Sequence, residues 1–167
     1  MPSVVNRPSA VGREIRHRRP FRSPSQEATI ALLRTASVVS RALARVVEPF
    51  GLSLAQYNAL RIVRGAGTEG IATLAVRERM IEEGTTITRL LDKLESAGLL
   101  RRTRSFPDRR QVICHVTAAG RKLLDRLDPL VDQRDVDVMA ALDSHQVTQL
   151  IVTLDALRAA NAEGTPQ

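Results

Sequence analysis

The 167-residue chain has one cysteine, one tyrosine, three phenylalanines and no tryptophan. A lone thiol, Cys114, cannot build an intramolecular disulfide framework, which makes a reducing cytoplasm the default setting. Phe21, Phe50, Tyr57 and Phe106 are too few and too scattered to form the stacking platform that RNA recognition uses. No apolar run approaches the ~18 residues of a membrane span, and the arginine-rich N-terminus is not followed by the apolar segment of a secretory signal. His17, His115 and His145 are dispersed without metal-ligand spacing, so no zinc site is expected. A glycine-rich phosphate loop and a nucleophile motif are also missing, and Cys114 and His115 alternate onto opposite faces of a strand, so neither a cofactor nor catalysis is expected. What remains is a soluble, intracellular binding protein whose length matches one domain with a sizeable core.

Charge of one sign is what the chain has in excess. The net charge is +7, unevenly spread: residues 1–24 carry six arginines against one glutamate, and residues 53–120 carry eleven bases against seven acids. Residues 121–167 reverse the balance, with five bases against eight acids. Such asymmetry is expected when one side of a protein faces phosphate.

The most informative stretch is Thr85 to Gly120. Ile87, Leu90, Leu91, Leu94 and Ala97 recur at helical spacing and share one face, a core face. The opposite side carries Thr85, Arg89, Asp92, Lys93 and Ser96, with Thr86 on its flank. Gly98 is placed to end this helix as a left-handed C′ residue, with Leu99 folding back on Leu94. Strand-like segments follow at Leu99 to Arg104 and Gln111 to Val116, joined by Ser105 to Arg110, a hairpin that would project like a wing. It holds Arg101, Arg102, Arg104, Arg109 and Arg110 against the single acid Asp108, far more positive charge than solubility requires. A polyanion is the natural partner. Val112, Cys114 and Val116 share one strand face, which makes Cys114 a buried small hydrophobe rather than a redox sensor.

These residues resemble the MarR family of winged helix-turn-helix transcriptional regulators. The match is carried by TITRLLDKLESAGLL as recognition helix, DRR as the wing-tip D-x-R pattern, VTAAG as the strand-to-helix junction, and apolar helices on both sides. It covers about residues 25 to 160. The resemblance implies a mostly α fold, an α+β winged helix, with a DNA-binding unit over residues 53–120. It further implies dimerisation helices at 23–50 and 121–160, insertion of Arg110 into a minor groove with Asp108 holding it, and no enzymatic activity. Members of the family often bind small aromatic or phenolic molecules between the dimer helices and the winged unit; Leu33, Val47 and Tyr57 could line such a cleft, although apolar residues on these helices are more often core.

Elsewhere the chain reads as helices with explicit start signals. Residues 1–22, with Pro2, Pro8, Pro20 and a basic run, read as a disordered arm, either a solvated tail or a DNA-tracking segment. Ser23-Pro24-Ser25-Gln26 and Ser53 to Gln56 are capping boxes, the second with Leu52 and Tyr57 as a hydrophobic staple. Leu32, Ala36, Val39, Leu43 and Val46 form a heptad seam that Leu33 and Val47 widen. After the glycines at 65, 67 and 70, Thr73 is expected to cap a helix to about Ile81, so that Leu74 to Ala97 has helix-turn-helix form. Thr117 caps a long helix that Pro129 should kink, Asp143 to Gln146 caps the last, and residues 161–167 look frayed.

The function expected is sequence-specific binding of double-stranded DNA by a homodimer, at a near-palindromic operator whose half-sites lie about 10 base pairs apart. Arg89 is the candidate for bidentate contact with a guanine edge. Thr85, Thr86 and Thr88 are candidates for phosphate or a thymine methyl and Lys93 for phosphate, while Asp92 and Glu95 are better suited to orienting neighbouring basic side chains. Arg104, Arg109 and Arg110 complete the candidate DNA surface, Arg109 sharing the wing-tip role. A winged-helix module that binds another protein instead of DNA is the competing class.

Overall fold

The computed structural model describes residues 10–16, 18–81, 86–104 and 111–162. Its elements are α1 (Ala10–Glu14), α2 (Pro24–Val47), a 3-10 turn (Glu48–Phe50), α3 (Leu54–Gly65), β1 (Ile71–Ala72), α4 (Thr73–Glu78), α5 (Ile87–Ser96), β2 (Leu100–Arg104), β3 (Val112–Val116), α6 (Ala118–Met139) and α7 (Ser144–Ala162). The fold is mostly helical with one small antiparallel sheet, as the sequence implies.

Most helix starts follow their side-chain caps. The Ser23 hydroxyl accepts from the Gln26 N–H ahead of Pro24. Here the Gln26 carboxamide reaches the Arg22 N–H at 2.8 Å rather than the N–H of the cap itself. Ser53 and Gln56 form the complete reciprocal box, as do Asp143 and Gln146. The Leu52–Tyr57 staple is buried on both sides. At the next start the structure differs: Ala72 is the cap residue of α4, without a side-chain bond, and the Thr73 hydroxyl instead donates to the Val112 carbonyl at 3.2 Å. That bond reaches a strand 39 residues away, which local spacing cannot reveal. α4 also stops at Glu78, short of the expected Ile81.

The sheet has three strands in the order β1-β3-β2, one more than the hairpin read from sequence. Leu100 pairs with Val116 and Arg104 with Val112, while Ile71 and Ala72 lie opposite Cys114 and Ile113. Gly70 leads into the extra strand at φ +72°, where a Cβ would come within 2.6 Å of the Cys114 carbonyl oxygen and the His115 ring. Only glycine admits both that backbone angle and that approach.

The N-terminal arm also departs from the expectation. Within the stretch expected to be disordered, Ala10–Glu14 is helical, and Glu14 pairs with Arg34 of α2 at 3.3 Å. Its small residues Ala10 and Gly12 permit that approach, and Gly12 is buried.

One apolar core joins the elements. It is built from Val47 of α2, Tyr57, Leu60 and Val63 of α3, Val76 of α4, Leu90, Leu91 and Leu94 of α5, Leu100, Cys114 and Val116 of the sheet, and Leu124, Leu127 and Val131 of α6. The α2 seam is covered only toward its C-terminal end, where Val47 is fully buried; Leu32, Leu33 and Val38 are exposed. α6 runs through Pro129, and α7 buries none of its residues.

The turn from β3 into α6 is the tightest junction. Thr117 accepts the Gly120 N–H at 3.0 Å, donates its hydroxyl to the Gly98 carbonyl at 2.7 Å, and gives its backbone N–H to the Leu99 carbonyl at 3.1 Å. A Cβ on Gly120 would lie 2.2 Å from that same Leu99 oxygen. Alanine is the better helix former by about 1 kcal/mol, yet Gly120→Ala is expected to lower stability by about 1–3 kcal/mol through overpacking against backbone. Urea unfolding of the two proteins measures it, and an equal or higher midpoint in the variant would show that the Leu99 backbone can yield.

Candidate nucleic-acid interface

α5 is the element that positions the candidate surface. Leu90, Leu91 and Leu94 are buried on one face, and the opposite one leaves Thr86, Thr88, Arg89, Asp92, Lys93 and Ser96 exposed. The helix ends as the sequence requires. Gly98 adopts φ +70°, its N–H bonds the Glu95 carbonyl at 2.8 Å, and the Leu99 N–H bonds the Leu94 carbonyl at 3.0 Å. These two bonds are a Schellman motif, which satisfies the last carbonyls and turns the chain directly into β2.

The wing is not uniformly basic toward solvent. Arg101 and Arg104 of β2 are exposed, but Arg102 turns onto α5. Its Nε and Nη2 reach the Glu95 carboxylate at 2.9 and 2.7 Å, Nη2 also reaches Asp92 at 2.5 Å, and the Arg102 backbone N–H donates to Glu95 Oε1 at 2.9 Å. Asp92 and Glu95 therefore orient a neighbouring arginine, and the strand that begins the wing is fastened to the helix it follows. A guanidinium fork on two carboxylates resists rotation in a way a point charge does not. The same bonds hold the Glu95 carboxyl below its ordinary range and raise Arg102 further.

Thr85, Asp108, Arg109 and Arg110 lie outside the described residues. Those that can be placed, Thr86, Thr88, Arg89, Lys93 and Arg104, are all exposed. Cys114 is fully buried, and burial, ahead of the opposing contact with Thr73, pushes its thiol upward. That is the environment of an inert packing cysteine. The residues expected to line a ligand cleft do not converge: Leu33 is 66% exposed, while Val47 and Tyr57 belong to the core. Leu33 and Val47 stand about 21 Å apart along the same helix.

Sequence reasoning missed a polar cluster at the back of the unit. The Tyr57 hydroxyl donates to Asp128 Oδ1 at 2.8 Å, Arg64 donates to Asp128 Oδ2, Arg64 also approaches Asp125 at 3.6 Å, and the Arg61 guanidinium lies 5.7 Å from the Tyr57 ring centroid. Burial first, and then the bond to Asp128, push the Tyr57 phenol up to about 12, so it remains a donor throughout the neutral range. The spacing of 57, 61 and 64 on one helix face is visible in the sequence, but the acceptor 64 residues downstream is not.

The model for the transcriptional regulator SarA/Rot family matches residues 43–127, which span α5, the wing and the start of α6. The chain belongs to this family. The regulator PecS of Dickeya dadantii is 28% identical over 120 residues, 71% of this chain and 72% of that protein. A MarR transcription factor from Planctomyces limnophilus superposes with TM-score 0.64 at 36% identity, covering 81% of this chain and 98% of its own. A mutant MarR of E. coli, solved in complex with operator DNA, shares the fold at TM-score 0.70 with 22% identity, covering 76% of this chain and 90% of its own. This chain is thus a MarR-type winged helix-turn-helix transcriptional regulator, a DNA-binding protein and not an enzyme. Among the described residues no helix is long and apolar enough to cross a membrane.

In this regulator the Arg102 clamp has a pH signature. A carboxyl depressed in the folded state contributes stability above its unfolded pKa, about 4.3 for glutamate, and that contribution is lost as pH falls through the lower folded value. Glu95→Gln is expected to be less stable than the parent at neutral pH and to lose less stability than the parent as pH is lowered below about 4.3. Urea midpoints taken across that range measure it, and parallel pH profiles would show that the clamp contributes nothing in solution.

Proposed function

We propose that the protein is a cytoplasmic repressor that binds a near-palindromic operator as a homodimer. The reading is carried by α5, whose buried leucine face leaves Arg89, Thr88 and Lys93 exposed together on the opposite side. In that position Arg89 offers its fork to the O6 and N7 acceptors of a guanine in the major groove, and Lys93 and the threonines hold the register through phosphate. Arg104 continues this surface along the wing, and in this reading Arg110 of the D-x-R pattern, with Asp108 as its holding acid and Arg109 sharing the role, is assigned to the flanking minor groove, where narrow A-tracts concentrate negative potential.

The homodimer is supported by what the protomer leaves uncovered. Leu32 and Leu33 on α2, Leu130 and Val136 on α6, and Ile151, Val152 and Leu157 on α7 are all exposed large hydrophobic residues. A second copy covering these faces would place two α5 helices about one turn of duplex apart. Release by a small aromatic or phenolic ligand extends this reading; a ligand reaching Val47 and Tyr57 would have to part α2, α3 and α6 to enter. Binding of a partner protein through the wing is the alternative, and the DNA-binding tests distinguish the two.

Arg89→Ala is expected to weaken operator binding by about 1–3 kcal/mol and to relax preference at one base position in each half-site. Competition binding across sequence variants measures both, and unchanged affinity with unchanged preference would remove the recognition-helix assignment. Affinity for duplex DNA is also expected to fall steeply with salt, because each neutralised phosphate releases counterions. A log–log slope near zero between 50 and 200 mM salt, a range of about fourfold over which phosphate-contacting proteins lose orders of magnitude, would contradict phosphate contact.

A further inference from the structure

We infer that Asp128 is a positioning residue that sets the spacing of the two half-sites the dimer accepts. The inference rests on the proposed operator-binding homodimer and concerns how the winged unit is held relative to the helices that would pair the subunits.

Three observations meet at Asp128. It lies on the core face of α6, one residue past Leu127 and three before Val131, both buried. Its two carboxylate oxygens are taken by different residues of α3, Oδ1 by the Tyr57 hydroxyl at 2.8 Å and Oδ2 by Arg64, with Arg61 Nε 3.9 Å from Oδ1. α3 belongs to the winged unit, whereas the far half of α6 and α7 carry the uncovered apolar faces. The carboxylate is thus a polar tie between the part that reads DNA and the part that would pair the subunits.

The position of that tie along α6 matters as much as its strength. Residue 129 is proline, inside the helix. Proline has no N–H to give to the carbonyl four residues back, so α6 lacks the rung that would end on Asp125, and a helix bends most readily there. Asp125 is also the second acid approached by Arg64. The α3 side chains therefore grip α6 across the one turn where its own ladder is interrupted. Apolar contacts such as Leu124 and Leu127 are non-directional and tolerate small rotations; a tyrosine hydroxyl and a guanidinium fixed on opposite oxygens of one carboxylate do not. Without the tie α6 can flex at Pro129, and the winged units swing relative to the two-fold axis.

One base pair more or less between half-sites moves them by about 3.4 Å and about a tenth of a turn. The test is selection of the full-length parent, Asp128→Asn and Arg64→Gln from one random-sequence duplex pool, followed by competition binding on the recovered motif with the spacer altered by one base pair. The parent is expected to prefer one spacing by about tenfold, as loss of one charged hydrogen bond would imply, and both variants by less than about threefold, with half-site sequence unchanged. A folded variant that keeps the parent's spacing preference overturns the inference and leaves the operator reading standing. A parent that recovers no motif overturns both. Arg64 is part-exposed, so its removal keeps the test available should Asp128→Asn not fold.

Discussion

The hydroxyl and backbone of Thr117 hold together the place where four segments meet. Its three bonds to Gly98, Leu99 and Gly120 join the end of α5, the start of β2, the end of β3 and the first turn of α6. Removing any one leaves a backbone polar group at a crowded junction without its partner, which costs more than the bond contributes when made. The geometry also dictates composition nearby. Gly98 must be left-handed for the chain to leave α5, and Gly120 must lack a Cβ because the Leu99 carbonyl occupies its place. The strand-to-helix motif read in the sequence is therefore the requirement that α5 and the long helix α6 share one corner.

From that corner the charge distribution acquires a division of labour. Arginine accounts for most of the positive charge, but the side chains are not equivalent. Arg102 is folded onto Asp92 and Glu95, and Arg64, at the back of the unit, onto Asp128. Arg89, Arg101 and Arg104 are exposed. The exposed arginines carry the outward positive charge of the described surface, whereas the charge of Arg102 is offset by the two acids it binds.

Local signals made α5, the Schellman turn at Gly98, the capping boxes at Ser53 and Asp143, and the buried phase of Cys114 legible, because each is decided by residues within about one turn or one strand pair. The unread features all depend on partners distant in sequence. β1 is two residues long, too short to display a period, and exists because Ile71 and Ala72 find β3. Thr73 has a capping residue type but its hydroxyl is drawn to Val112. Arg102 cannot be told from Arg101 or Arg104 until the strand has docked beside α5. The α1 helix is hidden by a composition of proline and arginine that ordinarily signals disorder, and it is held by packing against α2. In the site the exposed face of α5 was readable, whereas the Asp128 cluster was not, since its members are 64 and 71 residues apart.

The same distinction explains why the protomer looks unfinished at one end. α7 is 19 residues long and has no fully buried residue; Val147, Leu150 and Leu154, spaced along one side, are only partly covered, and Ile151, Val152 and Leu157 are exposed. A helix of that length gains little in water from its own hydrogen bonds, and ordering it costs backbone entropy at every residue. Burial is the term that must offset this cost, and the protomer does not supply it. Contact with a second copy would bury the exposed apolar residues of α7, cover the exposed half of α2 and fix the far half of α6 together. Because α6 is tied to α3 through Asp128, ordering at the subunit boundary would pass to α5 through side chains already in place, and the spacing of two reading heads would then follow from packing at the opposite end of the molecule.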